Sequence, residues 1–71
     1  MTNYKNSELK AMGKRLGDNA LESSEHKKEI DWVRQFISRA LYFDQLERSI
    51  ILREAERHIE RVRYNKEVIK L

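Results

Sequence analysis

The chain has 71 residues, of which 39% are hydrophobic and 38% charged, with two glycines and neither cysteine nor proline. A chain this short buries only about 60% of the surface that its unfolded form exposes, and without cysteine neither disulfides nor thiolate-bound zinc reinforces it. Fifteen basic and 12 acidic side chains leave a net charge of +3, interspersed in sign rather than segregated as in a dedicated nucleic-acid binder.

The missing stability is therefore expected from self-association or from a partner. Absent proline, scarce glycine and abundant charge predict an all-α protein. No stretch approaches the roughly 18 apolar residues of a membrane span. The opening segment "MTNYKNSELK" lacks the apolar centre of an export signal, and the expected location is cytoplasmic.

The first expected element is a short helix from about Ser7 to Leu16, with Leu9, Met12 and Leu16 at helical spacing, Asn6 or Ser7 as its cap and Gly17 as its stop. Residues 17–26, "GDNALESSEH", have the composition of a linker. A helix-turn-helix centred on Gly13 and Gly17 fits poorly, because Asp18 and Ser23 would occupy positions that such a motif gives to apolar residues. The expected division is a basic helix and linker over 1–23 and a helical association region over 24–71, within a single domain.

From Ser24 onward the pattern is helical, with Glu25 in a first turn capped by Ser24. Ile30, Val33, Ile37, Ala40 and Leu41 form one apolar stripe, and Ile51, Ala55, His58, Ile59 and Val62 return to it after Asp44 and Arg48 interrupt it. Two layouts satisfy this pattern. One is a continuous long helix covered by other protomers in a coiled-coil-like assembly. The other is a helical hairpin reversing near "LYFDQLE" (residues 41–47), where Asp44 caps a new helix and Glu47 completes a capping box. Trp32, Phe36, Phe43, Leu46 and Ile50 make a second apolar row, the mark of an inner helix in an oligomeric bundle. Val68, Ile69 and Leu71 extend an apolar end to the terminus.

Self-association is thus expected through Trp32, Val33, Phe36, Ile37, Phe43, Ile51, Ala55, His58 and Val62. His58 in an apolar seam would fix register, and its protonation would weaken assembly in mildly acidic solution. As a catalytic base it would take Glu54, one turn back, as its orienting carboxylate. A di-metal bundle needs Glu-x-x-His, a spacing that neither His58 nor His26 has. No phosphate-cradling glycine loop or nucleophile triad is visible, so no enzyme activity, cofactor, metal or small-molecule substrate is expected.

Arg53, Arg57 and Arg61 recur every four residues in one row, with Arg39 on the same side and Glu54, Glu56, Glu60 and Glu67 beside it. These arginines are the expected contact with a macromolecular partner. Lys10, Lys14 and Arg15, with Lys5, form a second basic cluster with phosphates as its candidate ligands. The expected function is a small non-enzymatic regulator or adaptor that associates with itself and covers a protein partner through its charged face. A dimeric nucleic-acid-binding regulator, straddling a phosphate backbone with both basic clusters, is the alternative. A metal-dependent bundle enzyme built on His58 is the least favoured reading.

Overall fold

The computed structural model describes residues 4–23, 25 and 28–69, with side chains through residue 65. Among the described residues there are three α-helices and no strand: α1 (Asn6–Ser23), α2 (Glu29–Arg39) and α3 (Gln45–Ile69). Their directions follow from the contacts between them. Along α1 and α3 the pairings advance together, from Tyr4 on Phe43 at 5.4 Å between ring centroids, through Gly13 against Ile51 and Ala55, to Asp18 on His58. α2 runs the other way, with Arg34 on Glu56 and Glu29 on Arg63. The chain is an up-down-up bundle in which α1 and α3 are parallel and share the largest interface.

The starts of α1 and α3 are set by local hydrogen bonds. At α3, the Glu47 amide donates to Asp44 Oδ1 at 2.8 Å and the Asp44 amide donates to Glu47 Oε1 at 2.9 Å, a reciprocal capping box. At α1, the first helical bond runs from the Leu9 amide to the Lys5 carbonyl, and the Lys5 amide donates to Glu8 Oε1 at 2.9 Å. Lys5 rather than Asn6 or Ser7 therefore occupies the cap position, with Glu8 supplying the acceptor. α2 begins at Glu29 rather than near Ser24, and Lys28 at its N-cap makes no side-chain capping bond. Ser24 itself lies outside the described residues.

The largest departure from expectation is at Gly17. The helix expected to stop there continues to Ser23, so the proposed linker is helical over 17–23. The reason is tertiary. A Cβ built on Gly13 would stand 2.6 Å from the Ile51 carbonyl oxygen and 2.8 Å from Glu54 Cβ; one on Gly17 would stand 3.1 Å from the Ala55 carbonyl oxygen. Both glycines are buried, as is Ala20 at 0% exposure. Their small size lets the α1 and α3 backbones approach closely, which outweighs the helix-propensity cost of about 1 kcal/mol per glycine.

The core runs between the three helices. Leu9, Leu16 and Ala20 come from α1, Val33 and Ile37 from α2, and Ile51, Ala55 and Ile59 from α3, with Ala40 and Phe43 closing the α2–α3 turn. Five residues expected to mediate self-association, Val33, Ile37, Phe43, Ile51 and Ala55, are thus buried within the chain's own core. Their apolar surface is already covered by neighbouring helices of the same molecule. No described helix is long and apolar enough to cross a membrane.

Candidate functional site

Buried residues 51, 55 and 59 recur every four positions on α3, which fixes the direction of the α3 side chains from 45 to 65. Leu52 and Glu56 lie toward α2, and Ile50, Glu54 and His58 toward α1. Arg53, Arg57, Glu60, Arg61 and Tyr64 are left exposed. The expected arginine row is therefore an outward face.

The row is not uniform. Arg61 is drawn to Glu54 at 3.6 Å, which commits that carboxylate. Arg53 and Arg57 have no carboxylate within ion-pairing distance among the described residues. Across from them, Lys10 of α1 is likewise unpaired. Lys10, Arg53 and Arg57 line one groove between α1 and α3, together with Asn6, Leu46, Ser49, Ile50 and Glu54. A second depression shares Glu54 and Arg57 and continues along α3 past Arg61 to Tyr64 and Asn65. The structure thus brings the two basic clusters together through Lys10. Lys14 and Arg15 are exposed on α1 but do not line this groove.

At the start of α3 the groove opens onto apolar surface. Leu46 is 70% exposed, and beyond it stand Tyr42 at 66% and Leu41 at 80%. Tyr42 and Tyr4 both lean on Phe43, with ring centroids 4.6 and 5.4 Å away. Exposed aliphatic and aromatic groups beside unpaired cations give the surface two chemistries within a few helical turns.

His58 is held by α1. Its ring meets the Asp18 carboxylate across the α1–α3 interface, while Glu54 is taken by Arg61. Asp18 lies in the segment expected to be a linker, which is helical, so the carboxylate beside His58 comes from α1 rather than from Glu54 of α3. The imidazole sits in the α1–α3 interface, packed beside Gly17 and facing an acidic partner. His26 lies outside the described residues. No group of three or more His, Cys, Asp or Glu side chains able to hold a metal ion gathers among the described residues.

Of the remaining expected self-association residues, Val62 is half-buried, and Trp32 stacks on Phe36 at 5.6 Å with ring planes 17° apart. Phe36 is 48% exposed, so this pair is the apolar surface that α2 retains on its outside.

Sequence reasoning missed three contributions. Glu29 is buried and ion-paired with Arg63, fastening α2 to the upper part of α3. Asp18 holds His58. Gly13 and Gly17 pack rather than terminate, a role whose signal was present in the run Gly13-x-x-x-Gly17-x-x-Ala20, small residues on one helical face. No family model, curated protein or solved structure matches the chain.

Proposed function

We propose that this chain is a non-enzymatic helical binding module that engages an anionic macromolecular partner, a protein in preference to nucleic acid, through the groove between α1 and α3. One observation carries the reading: Lys10, Arg53 and Arg57, from two helices, converge on one groove with no carboxylate in ion-pairing reach among the described residues. A surface pair in water contributes only about 0–1 kcal/mol, so folding gains little from leaving three cations together. A partner's carboxylates would gain from them, because arginine presents a rigid donor fork that matches a carboxylate. Regulation would then be by occupancy, the module covering part of its partner's surface.

Self-association belongs to the same proposal, and the exposed Phe36 stacked on Trp32 supports it. It would use the outside of α2, leaving the groove open.

The groove is tested by fluorescence anisotropy of the full chain against labelled poly-glutamate and a labelled DNA duplex. An anionic probe should bind, and Arg53→Glu with Arg57→Glu should weaken it at least about tenfold, each lost charged contact amounting to roughly 1.5–3 kcal/mol at most. Both arginines are exposed, so the thermal melt should hardly move. Undiminished binding by the double variant would overturn the proposal.

A further inference from the structure

The groove has a length, a polarity and a direction, and together they specify an occupant. Leu46 and Ile50 stand one turn apart at its lower end, with Lys10 of α1 level with Ile50, and Arg53 and Arg57 stand one turn apart above them. From Leu46 to Arg57 the rise along α3 is about 17 Å, or roughly three turns of helix. On the basis of the binding reading above, we infer that the groove receives an acidic amphipathic helix of a partner protein, lying antiparallel to α1 and α3, its acidic first turns on Arg53 and Arg57, its apolar last turns on Leu46 and Ile50, and Lys10 within reach of a carboxylate where the two halves meet.

Three arguments support that occupant. The first is charge: among the described residues three cations have no carboxylate in ion-pairing reach, whereas Glu54 is 3.6 Å from Arg61. A helix carrying two or three carboxylates on one face supplies the missing charges at matching spacing. The second is the apolar half. Leu46 is 70% exposed in the first turn of a helix whose cap is well formed, and helix-in-groove recognition uses such i, i+4 anchors.

That half also separates a protein helix from nucleic acid. Aliphatic Leu46 and Ile50 line the groove and give a phosphate backbone no polar contact, whereas an amphipathic helix covers them with apolar residues of its own.

The third argument is direction. Because α1 and α3 run parallel, both of their N-termini lie at the Leu46 end of the groove, and the negative C-terminal end of a bound helix is best placed there. Its N-terminus then lies at the Arg57 end. Acidic residues are also most favourable in the first turns of their own helix, where they meet the positive end of the dipole. Internal preference and external complementarity therefore select the same order, acids first and apolar residues after.

The probe is a synthetic helical peptide of about 14 residues, end-capped to remove terminal charges, with glutamates in its first two turns and leucines in its last two. Anisotropy against the full chain should show saturable binding. Arg53→Glu with Arg57→Glu should weaken it at least about tenfold, and a peptide with lysine in place of each glutamate should recover affinity for that double variant, because reciprocal charge reversal restores the pairs. Leu46→Ala should weaken binding without lowering the melting temperature, since this side chain is mostly exposed. A nitroxide on the peptide's N-terminus should broaden amide resonances near Arg57 and Arg61 and spare those near Leu46.

Broadening near Leu46 instead, or no rescue by the lysine peptide, would overturn the inference. A DNA duplex bound through Arg53 and Arg57 more tightly than the peptide would overturn it too, while leaving the groove as a binding surface. If no anionic probe binds at all, the binding reading falls as well.

Discussion

α3 meets its two neighbours by different means. Against α1 it presents backbone as well as side chains, with the Ile51 and Ala55 carbonyls facing Gly13 and Gly17, where a Cβ fits only if a neighbour gives way. Against α2 it presents side chains, apolar Ile51 and Ile59 in the shared core and the pairs Arg34–Glu56 and Arg63–Glu29 toward the edges. The first interface depends on steric fit and so tolerates little change. The second is a mosaic of apolar contacts and charges, in which each charged piece contributes modestly.

Substitutions can break this contrast in graded steps. The largest effect is expected at Gly13→Leu. A branched side chain directed at a carbonyl and at Glu54 Cβ separates α1 from α3, and a cost of about 3 kcal/mol or more lowers the midpoint by roughly 15 °C. Thermal circular dichroism should show that drop or the loss of a cooperative transition. Next comes Ile59→Ala at a fully buried site, expected to cost about 2–5 kcal/mol in urea titration. That is a large share of the roughly 4–10 kcal/mol available to a domain of this size.

The comparison sharpens between the two glycines. Gly13→Ala brings a Cβ to 2.6 Å from backbone oxygen, whereas Gly17→Ala reaches only 3.1 Å. Both gain about 1 kcal/mol of helix propensity. Gly13→Ala should still be destabilised by about 1–2 kcal/mol, and Gly17→Ala should stay within about 1 kcal/mol of the parent. Equal melting temperatures for the two would show that the interface yields more easily than its geometry indicates.

The smallest effect is expected at the α2 edge. Arg34 stands 3.2 Å from Glu56 with 61% of its side chain exposed, so a double-mutant cycle with Arg34→Ala and Glu56→Ala should return a coupling of about 0.2–1 kcal/mol that fades with added salt.

The same contrast explains what could be read in advance. Asp44 and Glu47 signal a helix start within four residues, because a capping box is local chemistry and needs no knowledge of the fold. Most of the apolar stripe, Val33, Ile37, Ala40, Ile51, Ala55 and Ile59, was legible as buried surface from helical period, but Leu41, expected to continue it, is 80% exposed because α2 ends at Arg39 and the period lapses in the turn. What covers that stripe was not legible. Periodicity specifies a face and carries no information about the neighbour, so residues that the chain packs against itself look identical to residues awaiting another protomer.

Gly17 misled for a related reason. Glycine has two uses in helical proteins, ending a helix and admitting a close neighbour, and only α3, some forty positions on, decides between them. Asp18 followed the same error, read as loop because of the glycine beside it. At the groove, the cations themselves were evident in the sequence, but the convergence of Lys10 with Arg53 and Arg57 depends on the parallel alignment of the first and third helices.

That alignment also governs how the molecule comes into being. Forty residues separate Asp18 from His58, and translation at about 5–20 residues per second leaves the first helix waiting some seconds for the surface that accepts it. With glycine at two central positions it is a poor helix alone. A nascent or truncated polypeptide lacking α3 would therefore remain an open substrate for proteases until that helix supplied the surface that closes against them.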